Sequence, residues 1–65
     1  MNSTIISELI NVKNSLSVEM NRLTTILTDK RIDELSKRNY MRQLNETESL
    51  YSQVDDYIVF REFSA

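Results

Sequence analysis

Sixty-five residues with 40% hydrophobic and 28% charged side chains make at most one small folded unit. The chain has no Cys, His, Gly or Pro, and it carries a net charge of −2 with a pI near 4.9. These facts exclude disulfides and the usual zinc sites, and they disfavour nucleic acid as the main partner.

A chain this short buries only about 60% of the surface that its unfolded form exposes. With disulfides and zinc removed, the remaining way to stabilise it is a partner, either a second copy or a different protein. Lack of Gly and Pro points to helices, because sheets and tight loops depend on those residues for turns. Ala occurs once, at Ala65, while Asn, Ser and Thr are plentiful. Helices of that composition are weak alone and depend on packing.

Met1 to Thr4 is read as a fraying start, with Ser3 or Thr4 as N-cap. From there a heptad-like stripe runs through Ile5, Leu9, Val12, Leu16, Glu19, Leu23 and Ile26, widened by Ile6, Met20 and Leu27. Glu19 is its one polar member, which requires a nearby cation or an edge position. This pattern predicts helix 1 over residues 3–28, on the order of 38 Å long.

Residues 28–38 break the pattern, since Ile32 and Leu35 fit neither flanking stripe. A turn is expected over 29–38, with an Asp or Asn in the left-handed region in place of Gly. Thr28, Asp29, Asp33 and Ser36 are all candidate N-caps for the second helix. One continuous bent helix is the competing reading.

The second stripe is Tyr40, Leu44, Thr47, Tyr51, Val54 and Ile58, with Leu50 and Tyr57 on its flank. It predicts helix 2 over residues 39–61. The expected fold is therefore all-α, an antiparallel two-helix hairpin like a short coiled coil. Its expected core is Leu9, Val12, Leu16, Leu23, Ile26, Tyr40, Leu44 and Leu50. Tyr57, Ile58, Val59 and Phe60 are consecutive, and neighbours on a helix diverge by about 100°. One partner helix cannot cover all four, so a second surface is expected there.

The charged groups are read as solvated. Lys30, Arg31, Lys37, Arg38 and Arg42 face Asp29, Asp33 and Glu34 across residues 29–42, net +2. Residues 43–65 carry five carboxylates and only Arg61. Adjacent Asp55 and Asp56 point too far apart to share an ion, so no metal site is expected. Tyr40, Tyr51 and Tyr57 read as core or interface residues with wet hydroxyls, not as stacking platforms. Without His, Cys or a Gly-rich loop, no catalytic residues and no cofactor are expected. The longest apolar run, Tyr57 to Phe60, is far too short to span a bilayer. No basic-then-apolar leader opens the chain, and a cytoplasmic location is expected.

Residues 36–60 resemble a known family. In the small co-chaperones of type III secretion needles, the YscE, PscE and EscE group, a Tyr opens the second helix of a hairpin. An apolar residue comes ten positions on, another four later, then an apolar pair. Tyr40, Leu50, Val54 and Tyr57-Ile58 fit that pattern, and Ser36 stands where the family often has a capping Ser. Family turns often carry Gly, whereas this one has none, and Val59, Phe60 and Phe63 make this C-terminal end more apolar. The resemblance implies a cytoplasmic chain that pairs with a larger chaperone of tetratricopeptide-like repeats, and together they keep the needle subunit monomeric.

Tyr51, Val54, Tyr57, Ile58 and Phe60 are the expected partner contacts. Burying five such side chains offers on the order of 10 kcal/mol before ordering and association costs. Two other readings use the same stripes. One is a homodimeric helical bundle acting as regulator or adaptor, and the other is an antagonist that caps an enzyme.

Overall fold

The computed structural model describes residues 3–64. It is an all-α hairpin of two helices, α1 (Ser3–Leu27) and α2 (Glu34–Ser64), packed along their length. The rod measures 48 × 14 × 11 Å. Its length matches α2, whose 31 residues rise about 46 Å.

α1 faces α2 with Ile6, Leu9, Lys13, Leu16, Met20, Leu23 and Leu27, spaced alternately by three and four. This is one residue off the expected stripe. Leu9, Leu16 and Leu23 belong to both, but Val12 is 47% exposed and leaves the expected core. Ile5 is exposed as well. The shift is accommodated because Lys13 takes a seam position and finds a carboxylate there. On α2 the seam runs through Tyr40, Leu44, Thr47, Tyr51, Val54, Ile58 and Arg61, all half-buried except Ile58, which is buried. Leu50 sits on their flank, 50% exposed, so it too leaves the expected core. Among the described residues Leu23, at 0% exposure, is completely buried and Ile58, at 7%, nearly so.

The turn spans residues 28–33 and is shorter than expected, since α2 begins at Glu34 and not near residue 39. No described residue has a positive φ, so the expected left-handed Asp or Asn is absent. Hydrogen bonds close the turn instead. Thr28 N donates to Thr24 O at 3.1 Å, Asp29 N to Ile26 O at 3.1 Å, and Ile32 N to Asp29 O at 3.3 Å. The Thr28 hydroxyl donates to Thr25 O at 2.7 Å. These bonds satisfy carbonyls that the end of α1 would otherwise leave open. The Asp29 carboxylate accepts from Arg31 N at 3.0 Å and Arg31 Nε at 3.3 Å, which folds the chain back on itself.

Asp33 is the N-cap of α2. Its carbonyl accepts the first helical bond, from Lys37 N at 2.9 Å. Its carboxylate is held below its ordinary value by the Ser36 hydroxyl first, and by the Ser36 N–H as well. Glu34 comes next, in the first turn, where a negative charge suits the helix dipole. At the other terminus, Ser3 and Thr4, the expected N-caps, both lie inside α1.

Candidate protein-binding surface

The seam decides which side chains remain for a partner. Ile58 is buried against α1, while Tyr51 and Val54 are half-buried along the same line. These three expected partner contacts belong instead to the hairpin's own seam, because a stripe of period 3.5 can face only one neighbour. Tyr57 and Phe60 do face solvent. Val59 and Phe63 join them, and Phe63 is 86% exposed. The last two turns of α2 thus carry apolar side chains off the seam as well as on it.

Two ionic arrangements shape this end of the rod. The Lys13 ammonium donates to Asp55 Oδ1 at 2.6 Å and lies 5.3 Å from the centre of the Tyr51 ring. The Asp55 hydrogen bond, with the Asp55 charge behind it, holds Lys13 above its ordinary pKa against partial burial. Nearer the C-terminus, Arg61 Nε and Nη2 donate to the Tyr57 hydroxyl at 2.9 and 2.7 Å. Its guanidinium also lies 5.2 Å from the ring centre. Tyr57 is therefore held along the helix, which lowers the cost of ordering it in a complex.

Asp56 is four and seven residues from Phe60 and Phe63, so helical geometry sets its exposed carboxylate on their face. A surface complementary to this end is apolar with a basic rim. Asp55 and Asp56 point apart, as their helical separation requires. Among the described residues no three His, Cys, Asp or Glu stand where they could hold a metal ion.

The turn end is different. Lys30, Arg31, Lys37, Arg38 and Arg42 are all exposed. They do not converge, because Lys37 and Arg42 diverge by about 140° on the helix. A shallow open depression of about 480 Å³ lies at this end, lined by Arg31 but by none of the other four, and in part by Ile26, Ile32 and Tyr40. Its carboxylates, Asp29 and Asp33, are already engaged by Arg31 and Ser36. Glu19 pairs with Arg22 through both guanidinium arms, one at 3.0 Å, so the polar member of the expected α1 stripe has its cation.

Sequence reasoning missed Lys13 and Arg61. Lys13 could have been found from the alternating three-and-four spacing of Ile6, Leu9, Leu16, Met20, Leu23 and Leu27, which leaves a gap at residue 13. No family model, curated protein or solved structure matches this chain. Among the described residues no helix is long and apolar enough to cross a membrane.

Proposed function

We propose that this chain is a protein-binding module whose α2 end, Tyr57, Val59, Phe60 and Phe63, docks into an apolar, basic-rimmed groove of a larger protein. The observation that carries the reading is the exposure of those four side chains beside a seam that has closed over Ile58. A small monomer does not ordinarily leave a contiguous aromatic end in water. Three of the four, Tyr57, Phe60 and Phe63, are aromatic, the kind that dominates interface energetics or is enriched there.

The most concrete form of this proposal is a co-chaperone of type III secretion, acting in the bacterial cytoplasm. Its partner is a tetratricopeptide-like chaperone, and through it a needle subunit kept monomeric. Ser36, Tyr40, Leu50, Val54 and Tyr57-Ile58 support that form by resemblance. The hairpin architecture and the unpartnered apolar end are in keeping with it.

The test is co-expression with a repeat chaperone and a needle subunit from the same genome, and then light scattering on the purified complex. A stable ternary complex with a monomeric needle subunit is expected. Phe60→Asp with Phe63→Asp should abolish it while circular dichroism keeps its helical signal. Failure to form the complex removes the secretion form. A complex that survives both substitutions removes the α2 end as the docking element.

A further inference from the structure

A second surface, separate from the aromatic end, emerges from the handedness of the two helices. Lys13 and Asp55 bond to each other, so they mark one common side of the seam. Relative to Leu9, Leu16 and Leu23, about 100° per residue turns Lys13 toward that side and Val12 and Ile5 toward the opposite one. Relative to Tyr40, Tyr51 and Ile58, it turns Asp55 toward the same marked side and Leu50 toward the opposite one. Ile5 and Val12 on α1 and Leu50 on α2 therefore share a flank of the rod, and all three are exposed.

The surface area and the charge distribution both bear on what covers this flank. The chain exposes 5155 Å². A compact monomer of 7.7 kDa exposes about 4,300 Å². The excess is close to the roughly 800 Å² that each partner buries in a standard protein–protein interface. The charge is polarised along the rod. Residues 20–43, around the turn, hold six cations and three carboxylates, net +3. The remaining residues hold two cations and seven carboxylates, net −5. Two rods side by side in opposite directions set each basic turn end against an acidic open end, whereas rods in the same direction set like against like.

We infer that the flank of Ile5, Val12 and Leu50 is covered by a second copy of this chain, lying antiparallel as a two-fold four-helix assembly. Leu50 is one residue past the midpoint of α2, so the two-fold axis brings the two copies of Leu50 together. The arrangement goes beyond the docking reading above: Tyr57, seven residues after Leu50, shares the covered flank, while Phe60 and Phe63 stay free at opposite ends of the assembly.

The experiment is sedimentation and light scattering on the purified chain at micromolar concentrations, with a spin label at Lys30→Cys. The chain has no Cys of its own, so the label is unique. A dimer is expected, with label-to-label distances near the 48 Å length of the rod. Leu50→Asp is expected to weaken dimerisation at least tenfold with helicity retained, and Phe63→Asp to leave it unchanged. Should Leu50→Asp lose its helical signal, Val12→Lys decides in its place. A wild-type monomer throughout, a label distance under about half the rod length, or a dimer indifferent to the deciding flank substitution overturns the inference. Partner docking that survives Phe60→Asp with Phe63→Asp, with an intact dimer, would count against the proposed function alone.

Discussion

The two ends of this rod are built differently. At the turn end Leu23 is fully buried, Asp33 caps α2, and threonine and aspartate groups satisfy the backbone between the helices. At the open end a lysine and an aspartate occupy the seam, while Phe60 and Phe63 stand in water. The turn end completes its local bonding within one chain and the open end does not. In a hairpin with a single line of contact, apolar side chains placed off that line add nothing to the fold by themselves. Their energetic return comes only when another surface arrives.

The comparison can be broken most forcefully at Leu23. Leu23→Ala removes the one completely buried side chain and is expected to cost about 2–5 kcal/mol. The whole stability of a chain this size is roughly 3–10 kcal/mol by the usual per-residue range. Thermal denaturation should therefore show a large drop in melting temperature. A variant that melts like the wild type would mean that the turn end is not where the hairpin is held.

The seam pair gives a smaller effect. Lys13→Leu with Asp55→Leu exchanges a half-buried ion pair for apolar contact, and such exchanges are commonly neutral or stabilising. The melting temperature should hold or rise. The pH dependence sharpens this expectation. Lys13 has a raised folded pKa, so its contribution is fully present below the ordinary value of 10.5 and is lost as pH rises through the raised one. An alkaline titration of helicity should fall for the wild type more than for the double variant. Equal curves would show that the pair contributes nothing.

Next comes the cap. Asp33 has a depressed folded pKa, so its contribution is present above the ordinary 3.8 and is lost as pH falls through the folded value. Asp33→Ala should lower the melting temperature by less than Leu23→Ala does, and should flatten the acid limb of the stability profile. An unchanged acid limb would assign that loss to other carboxylates, such as Asp29 or Glu19, whose values are also depressed by their arginine partners.

The smallest effect on stability is expected at Phe63→Ser, within about 0.5 kcal/mol, because the side chain touches so little of the hairpin. A large drop in its melting temperature would overturn the contrast between the two ends.

The class of fold was legible because apolar spacing in both halves has the period of a helix and the break near residue 30 is sharp. The α2 stripe from Tyr40 to Ile58 was also legible, since the residues on it are mostly large and those beside it mostly polar. On α1 two neighbouring stripes pass through Leu9, Leu16 and Leu23. Val12 is apolar and Lys13 is not, so pattern alone favours the wrong one. The information that reverses the choice is Asp55, 42 residues away. The start of α2 was hidden for a related reason. Four residues could serve as caps, and only the path of the turn selects Asp33. Of the candidate binding surface, the crowding of Tyr57, Ile58, Val59 and Phe60 was visible in sequence. Which of them the hairpin keeps for itself depended on the seam.

The Lys13–Asp55 contact has a further consequence for how the helices are aligned. Glu48 and Glu62 stand seven residues to either side of Asp55, on the same face of α2. If α1 slid by one heptad, Lys13 would again meet a carboxylate. The ion pair therefore sets which faces meet, but it does not count heptads. That task falls to the six-residue turn, whose length is the ruler that holds this hairpin at one of several electrostatically equivalent alignments.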